Sequence, residues 1–118
     1  MASSHHRLIL EIVRTDRTFA RVELRGREVW QGKCLHCNTH LAVALDGQPI
    51  SRATVEHILP RTAGGGDDLP NLALACARCN SQKGIRIDHL GAGHPKFVEV
   101  IERLQQRRRA RWREPEIE

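Results

Sequence analysis

The sequence predicts a small α+β fold. Three observations predict it. Two CxxC pairs, Cys34-Leu-His-Cys37 and Cys76-Ala-Arg-Cys79, stand far apart in the chain. Short apolar runs of strand length lie between them, and an apolar period of helical type follows the second pair. The chain has 118 residues, the length of one domain. Its aromatic residues are Phe19, Trp30, Phe97 and Trp112, so a core of Leu, Ile, Val and Ala is thin at this size. A metal cross-link between the two pairs would supply what such a core lacks.

Residues 7–30 admit two readings. Leu8, Leu10 and Ile12 alternate as in a strand, whereas Leu8, Ile9, Ile12 and Val13 fit one face of a helix. Helix is favoured, with a break at Thr15-Asp16-Arg17-Thr18 and a second helix capped by Thr18 and running to about Arg25. Leu41 to Leu45 and Ile50 to Ile58 read as strands, joined by the turn signal Asp46-Gly47-Gln48-Pro49. Pro60 ends the second strand. Residues 61–70, with Gly64-Gly65-Gly66, read as loop, because consecutive glycines carry a high ordering cost in regular elements. Asn71 to Ala75 is a short apolar strand. A helix should start near Cys76 or Ala77 and run past Lys83, with Gly84 as its stop. After Gly91-Ala92-Gly93-His94, the residues Phe97, Ile101, Leu104 and Arg108 fall at helical spacing, which predicts an amphipathic helix from about Pro95 to Arg113.

The four cysteines can form one tetrahedral zinc site or two disulfides. Knuckle spacing and the lack of a secretory signal favour zinc, and a reducing, cytoplasmic compartment is the expectation. A redox role is the weakest reading, because a closed site would use every thiol. No apolar run approaches the roughly 20 residues of a membrane span. The formal charge of +5 and a pI near 9.6 favour a polyanionic partner. Arginines crowd the last segment (Arg103, Arg107, Arg108, Arg109, Arg111 and Arg113), where a solvated helix face competes with a nucleic-acid clamp.

Between and beside the cysteines stand Glu56-His57-Ile58-Leu59-Pro60-Arg61, then Asn71-Leu72, and Cys79-Asn80-Ser81-Gln82-Lys83-Gly84. With the order strand, loop, strand, helix from Thr54 to Gly84, this set resembles the ββα-metal finger of the HNH endonucleases, in the HNN subtype with a four-cysteine structural zinc. The resemblance covers Cys34 to Gly84; the segments 1–33 and 85–118 carry no motif of it. It implies an HNH core at 34–84, and the expectation is one HNH nuclease domain over 1–118 that ends in the basic helix at about 95–113 read from its apolar spacing.

The resemblance assigns roles residue by residue. Cys34, Cys37, Cys76 and Cys79 are expected to hold a structural zinc. His57 stands where the family places the general base that activates water. Glu56, where the family more often has Asp or His, and Asn80, where it more often has His, are expected to hold a catalytic Mg²⁺ or Mn²⁺ through oxygen. Glu56 and His57 point to opposite faces of an ideal strand, so one site for both requires the strand to twist or end. Asn71 is expected to hold the loop and orient the His57 strand. Arg61, Arg78 and Lys83 are candidates for phosphate contacts.

A metal-dependent DNA endonuclease is therefore the main expectation. Its DNA specificity is expected to be low or supplied by a protein partner. A zinc-stabilised nucleic-acid-binding module without catalysis and an RNA-directed nuclease of the same fold are the alternatives. His36 and His40 beside the first knuckle could compete for zinc, although four thiolates complete a tetrahedron.

Overall fold

Helix α1 (Ser4–Arg14) opens the chain in a computed structural model that describes residues 3–115. Residues 1–2 and 116–118, included in the expected domain range, lie outside the described residues. Ser3 caps α1 by accepting from the His6 amide at 3.0 Å. Its buried face is Ile9, Ile12 and Val13, the i, i+3, i+4 spacing of a helix packed on one side. The expected break follows: Thr15 turns its hydroxyl back to the Ile12 carbonyl (2.9 Å), and Asp16 accepts from both the amide and the hydroxyl of Thr18 (2.8 Å each).

The second expected helix does not form. Strands β1 (Ala20–Leu24) and β2 (Arg27–Lys33) take its place as an antiparallel hairpin. Arg25 and Gly26 are its two turn residues, and both have positive φ (53° and 77°). Such a turn matches the twist of paired strands, and Gly26 adopts it without strain. The other glycine of this segment also serves the sheet. A Cβ at Gly32 would lie 2.4 Å from the ring of Phe19, so the ring packs directly on bare backbone.

Strand β3 (His40–Ala44) pairs with β2 and completes a three-stranded sheet. Lys33 faces His40 in its register, so the first CxxC pair occupies the hairpin loop between β2 and β3. The expected turn at 46–49 is present: the Asp46 carboxyl accepts from the Gln48 amide at 3.0 Å, and Gly47 has φ 95°. The chain then leaves the first sheet. Ile50 and Ser51 still bond back to Ala42, which delays the next strand, β4 (Ala53–His57), three residues beyond the expected start.

Strand β4 pairs with β5 (Leu72–Cys76) in a separate two-stranded sheet. Helix α2 (Ala77–Arg86) follows β5 directly. Gly84 does not stop it: a Cβ there would meet nothing within 4 Å, and the helix runs on to Arg86. Helix α3 (Pro95–Arg111) begins with Pro in its first turn and a His94 cap. Together these elements make the α+β fold that was expected.

Two apolar clusters hold the molecule, and β5 belongs to both. Leu72 and Leu74 join Ile9, Ile12 and Val13 of α1, with Phe19, Leu41 and Val43. Ala73 joins Phe97, Val100, Ile101 and Leu104 of α3, with Leu35 and Ile58. Alternation along β5 thus places one helix on each side of it.

The C-terminal arginines are mostly tied down. Arg108 is 1 % exposed, and its guanidinium donates to the carbonyls of Leu72, Thr15 and Leu69 and to the Thr15 hydroxyl, at 2.8–3.2 Å. Burial lowers its pKa. Arg107 grips the carbonyls of Leu35 and His36 (2.9 and 2.8 Å), and Arg111 those of Lys33 and Cys34 (3.2 Å each). Arg113 reaches the carbonyls of Arg14 and Val13 (3.0 Å each). These side chains fasten α3 to the first knuckle, to β5 and to α1. No helix among the described residues is long and apolar enough to cross a membrane.

Candidate active site and zinc knuckles

The sulfur atoms of Cys34, Cys37, Cys76 and Cys79 lie within 4.8 Å of one another. Cys34 and Cys37 come from the β2–β3 loop, and Cys76 and Cys79 from the β5–α2 junction. A zinc tetrahedron with bonds of about 2.3 Å spaces its sulfurs about 3.8 Å apart. The pair Cys37 and Cys76 already stands at 4.0 Å, far from the S–S distance of a disulfide, and all four cysteines are free. The His36 and Cys76 amides donate to Cys34 Sγ (3.4 and 3.3 Å), and the Cys79 amide donates to Cys76 Sγ (3.4 Å). Such donors favour the charged thiolate that zinc requires. The donor set fits a structural zinc. Without metal, burial first and then the neighbouring thiols push the Cys79 thiol well above its usual range.

His57 ends β4 and keeps about a quarter of its side chain exposed. Its Nε2 lies 2.7 Å from Asp67 Oδ1 and 3.2 Å from Arg61 Nε. One ring nitrogen cannot donate to Asp67 and accept from Arg61 together. The shorter contact and the Arg61 Nη2 to Asp67 bond (3.1 Å) assign the proton to Nε2, with Arg61 held by the carboxylate. Nδ1 then makes no hydrogen bond among the described residues. The His57 bond, followed by Arg61, holds the Asp67 carboxyl below the usual carboxylate range.

Asn71 closes the loop that brings Asp67 to His57. Its Oδ1 accepts from the Leu59 amide (2.9 Å), and its Nδ2 donates to the carbonyls of Leu59 (3.1 Å) and Gly66 (2.9 Å). The structure also needs bare backbone in this loop, because a Cβ at Gly65 would lie 1.7 Å from the Leu59 carbonyl oxygen.

Glu56 lies on the other side of β4 from His57, as strand alternation requires. Its side chain is fully buried, and Oε1 meets His36 Nε2 at 2.5 Å. Oε2 is buried with no hydrogen-bond partner. Asn80 leans over the same face: its Nδ2 donates to Thr54 Oγ1 (3.1 Å) and to the Val55 carbonyl (3.2 Å). Its Oδ1 takes no hydrogen bond among the described residues. An unsatisfied carboxyl oxygen and an uncommitted amide oxygen are each hard donors of the kind Mg²⁺ or Mn²⁺ takes. The residues present therefore fit such an ion.

The three expected phosphate contacts separate. Arg78 is exposed. Arg61 is exposed but engaged with Asp67. Lys83 is 4 % exposed, and its Nζ is spent on Asp88 (2.9 Å) and on the His57 carbonyl (3.1 Å). Lys83 and Asn80 thus anchor α2 to alternate carbonyls of β4. Sequence reasoning missed two partners at the site. Asp67 carried a signal, an acid just past the glycine run. His36 carried only its place inside the first knuckle.

The family model described as HNH endonuclease matches residues 34–86, and the four-cysteine cluster fits the zinc-binding variant of that family. The match covers both knuckles, β3 to β5 and α2. No curated protein and no solved structure matches the chain. The match suggests a nuclease or nucleic-acid-binding function.

Proposed function

We propose that the protein is a metal-dependent DNA endonuclease with His57 as its general base. The observation that carries this reading is the His57–Asp67 pair, which ties one ring nitrogen and leaves the other bare on a partly exposed strand end. In this reading Nδ1 takes a proton from water, and Asp67 keeps the ring oriented and stabilises the imidazolium that forms. The water oxygen bonds to phosphorus and the P–O3′ bond breaks. The departing 3′ oxygen takes up a proton from bulk water, and His57 later returns its proton to solvent, leaving 5′-phosphate and 3′-hydroxyl ends. Glu56 Oε2 and Asn80 Oδ1 are the proposed donors for the ion, and their meeting His57 at one phosphate requires β4 to twist where it ends, at His57. When bound, a divalent ion supplies Lewis-acid stabilisation of the phosphoryl oxygens and the leaving oxygen. Arg78 is the exposed cation nearest the knuckle sequence and the candidate that remains free for phosphate.

Supercoiled plasmid, incubated with zinc-loaded protein and Mg²⁺, Mn²⁺ or EDTA, tests the reading. Nicking or linearisation that EDTA abolishes is the expected result. The full burial of Glu56 favours a second reading, a zinc-stabilised nucleic-acid-binding module. Intact plasmid under every metal, with a retained gel shift, would support that module instead. Cleavage confined to an RNA substrate in the same assay would redirect the proposal to an RNA nuclease.

A further inference from the structure

We propose that His36 is a positioning residue for the catalytic metal: its Nε2 occupies Oε1 of Glu56 and so reserves Oε2 for the ion. The inference rests on the reading of Glu56 as a metal donor.

A buried carboxyl oxygen with no hydrogen bond is costly, and native structures rarely keep one without a reason. Here the two oxygens of one carboxyl differ completely. Oε1 has a short bond to His36, and Oε2 has nothing. A bond that fixes one oxygen also fixes the plane of the group, and this is how outer groups commonly orient a ligating carboxylate.

His36 is itself held rigidly. Its amide donates to Cys34 Sγ, and its carbonyl accepts from Arg107 at 2.8 Å. Its ring lines a cleft of about 280 Å³ between α2 and α3, together with Cys79, Lys83, Val100 and Arg103. Glu56 is fully buried and does not line that cleft, so within this pair it is His36 that meets the cleft. The first knuckle thereby reaches the face of β4 that carries Glu56 and Thr54, and the zinc that orders the knuckle also orders His36. The two metals are coupled through one side chain.

Mn²⁺ binding to zinc-loaded protein, followed by the EPR signal of free Mn²⁺, tests this for the wild type, E56Q, H36A and H36Q. Zinc content is measured in each. The expected result is an affinity about 10- to 100-fold weaker in both E56Q and H36A, with zinc retained. H36Q should restore most of it, because the glutamine amide can donate the same bond. Wild-type affinity in H36A beside weak binding in E56Q would overturn the role of His36 and leave Glu56 as a donor. Wild-type affinity in E56Q would overturn both. Loss of zinc in H36A, or failure of H36Q to restore binding, would make His36 a part of the knuckle alone and overturn the proposal.

Discussion

Lys83 Nζ donates to the main-chain carbonyl of His57 across 3.1 Å, so a buried lysine of α2 holds the backbone of the proposed base. The same ammonium meets Asp88 at 2.9 Å. Replacing Lys83 by Met keeps the stem and removes both bonds. The expected cost is about 2 kcal/mol in urea unfolding, the scale of a charged hydrogen bond lost from a buried site. Activity should fall with it, because the end of β4 is no longer fixed. A K83M protein with wild-type stability would show that the anchor contributes nothing.

Asp67 should matter for rate more than for folding. It is largely exposed, so its pair with His57 adds little stability. Its folded pKa lies below its unfolded value of about 3.9. The small stabilisation it gives is therefore present above that value and is lost as pH falls through the lower folded value. Rate loss from Asp67 protonation should begin only below about pH 4. D67A should lower kcat about 10-fold at neutral pH and leave the urea midpoint nearly unchanged. Steady-state kinetics on plasmid, beside an unfolding curve, checks both.

Zinc uptake should release protons. The Cys79 thiol of the metal-free chain is pushed up by burial and by its neighbours, so it is protonated at neutral pH and must ionise to bind. Apparent zinc affinity should rise with pH and collapse on acidification. Calorimetry in buffers of different ionisation heat reads the proton count directly. Removing the zinc with a strong chelator should also unfold the β5–α2 junction, seen as lost helical circular dichroism.

Arg108 should be the costliest arginine to remove. R108A leaves three carbonyls and a hydroxyl without their buried donor, and an expected loss of about 3–5 kcal/mol follows. Arg109, exposed on the same helix, should change stability by less than about 0.5 kcal/mol when replaced by Ala. Urea midpoints of the two variants make the comparison.

The region from Cys34 to Arg86 was the most legible in sequence, because metal spacing constrains it more tightly than propensity does. The sulfur cluster follows from that spacing, and β3 to β5 follow from short apolar runs between turn signals. The N-terminal hairpin was not legible. Val22 and Val29 are too few to mark alternation, and Arg25-Gly26 declares itself a turn only once strands flank it. The C-terminal arginines show a second limit. Charge alone reads Arg107, Arg108, Arg111 and Arg113 as a solvated or DNA-facing stripe, yet each is spent on main-chain carbonyls. The position of Arg108 on the apolar face of its helix was the one available clue. Lys83 escaped for the same reason, since its partner Asp88 lies beyond the motif. The split of Glu56 and His57 to opposite faces was foreseeable from strand periodicity, whereas the partners waiting on each face, His36 and Asp67, were not.

The most direct test of the central claim is the single-turnover rate of plasmid cleavage by wild type and H57A at equal zinc content and saturating Mn²⁺. The account predicts a fall of at least about 100-fold in the variant, with zinc and circular dichroism unchanged. Equal rates would contradict it and remove His57 from the chemistry.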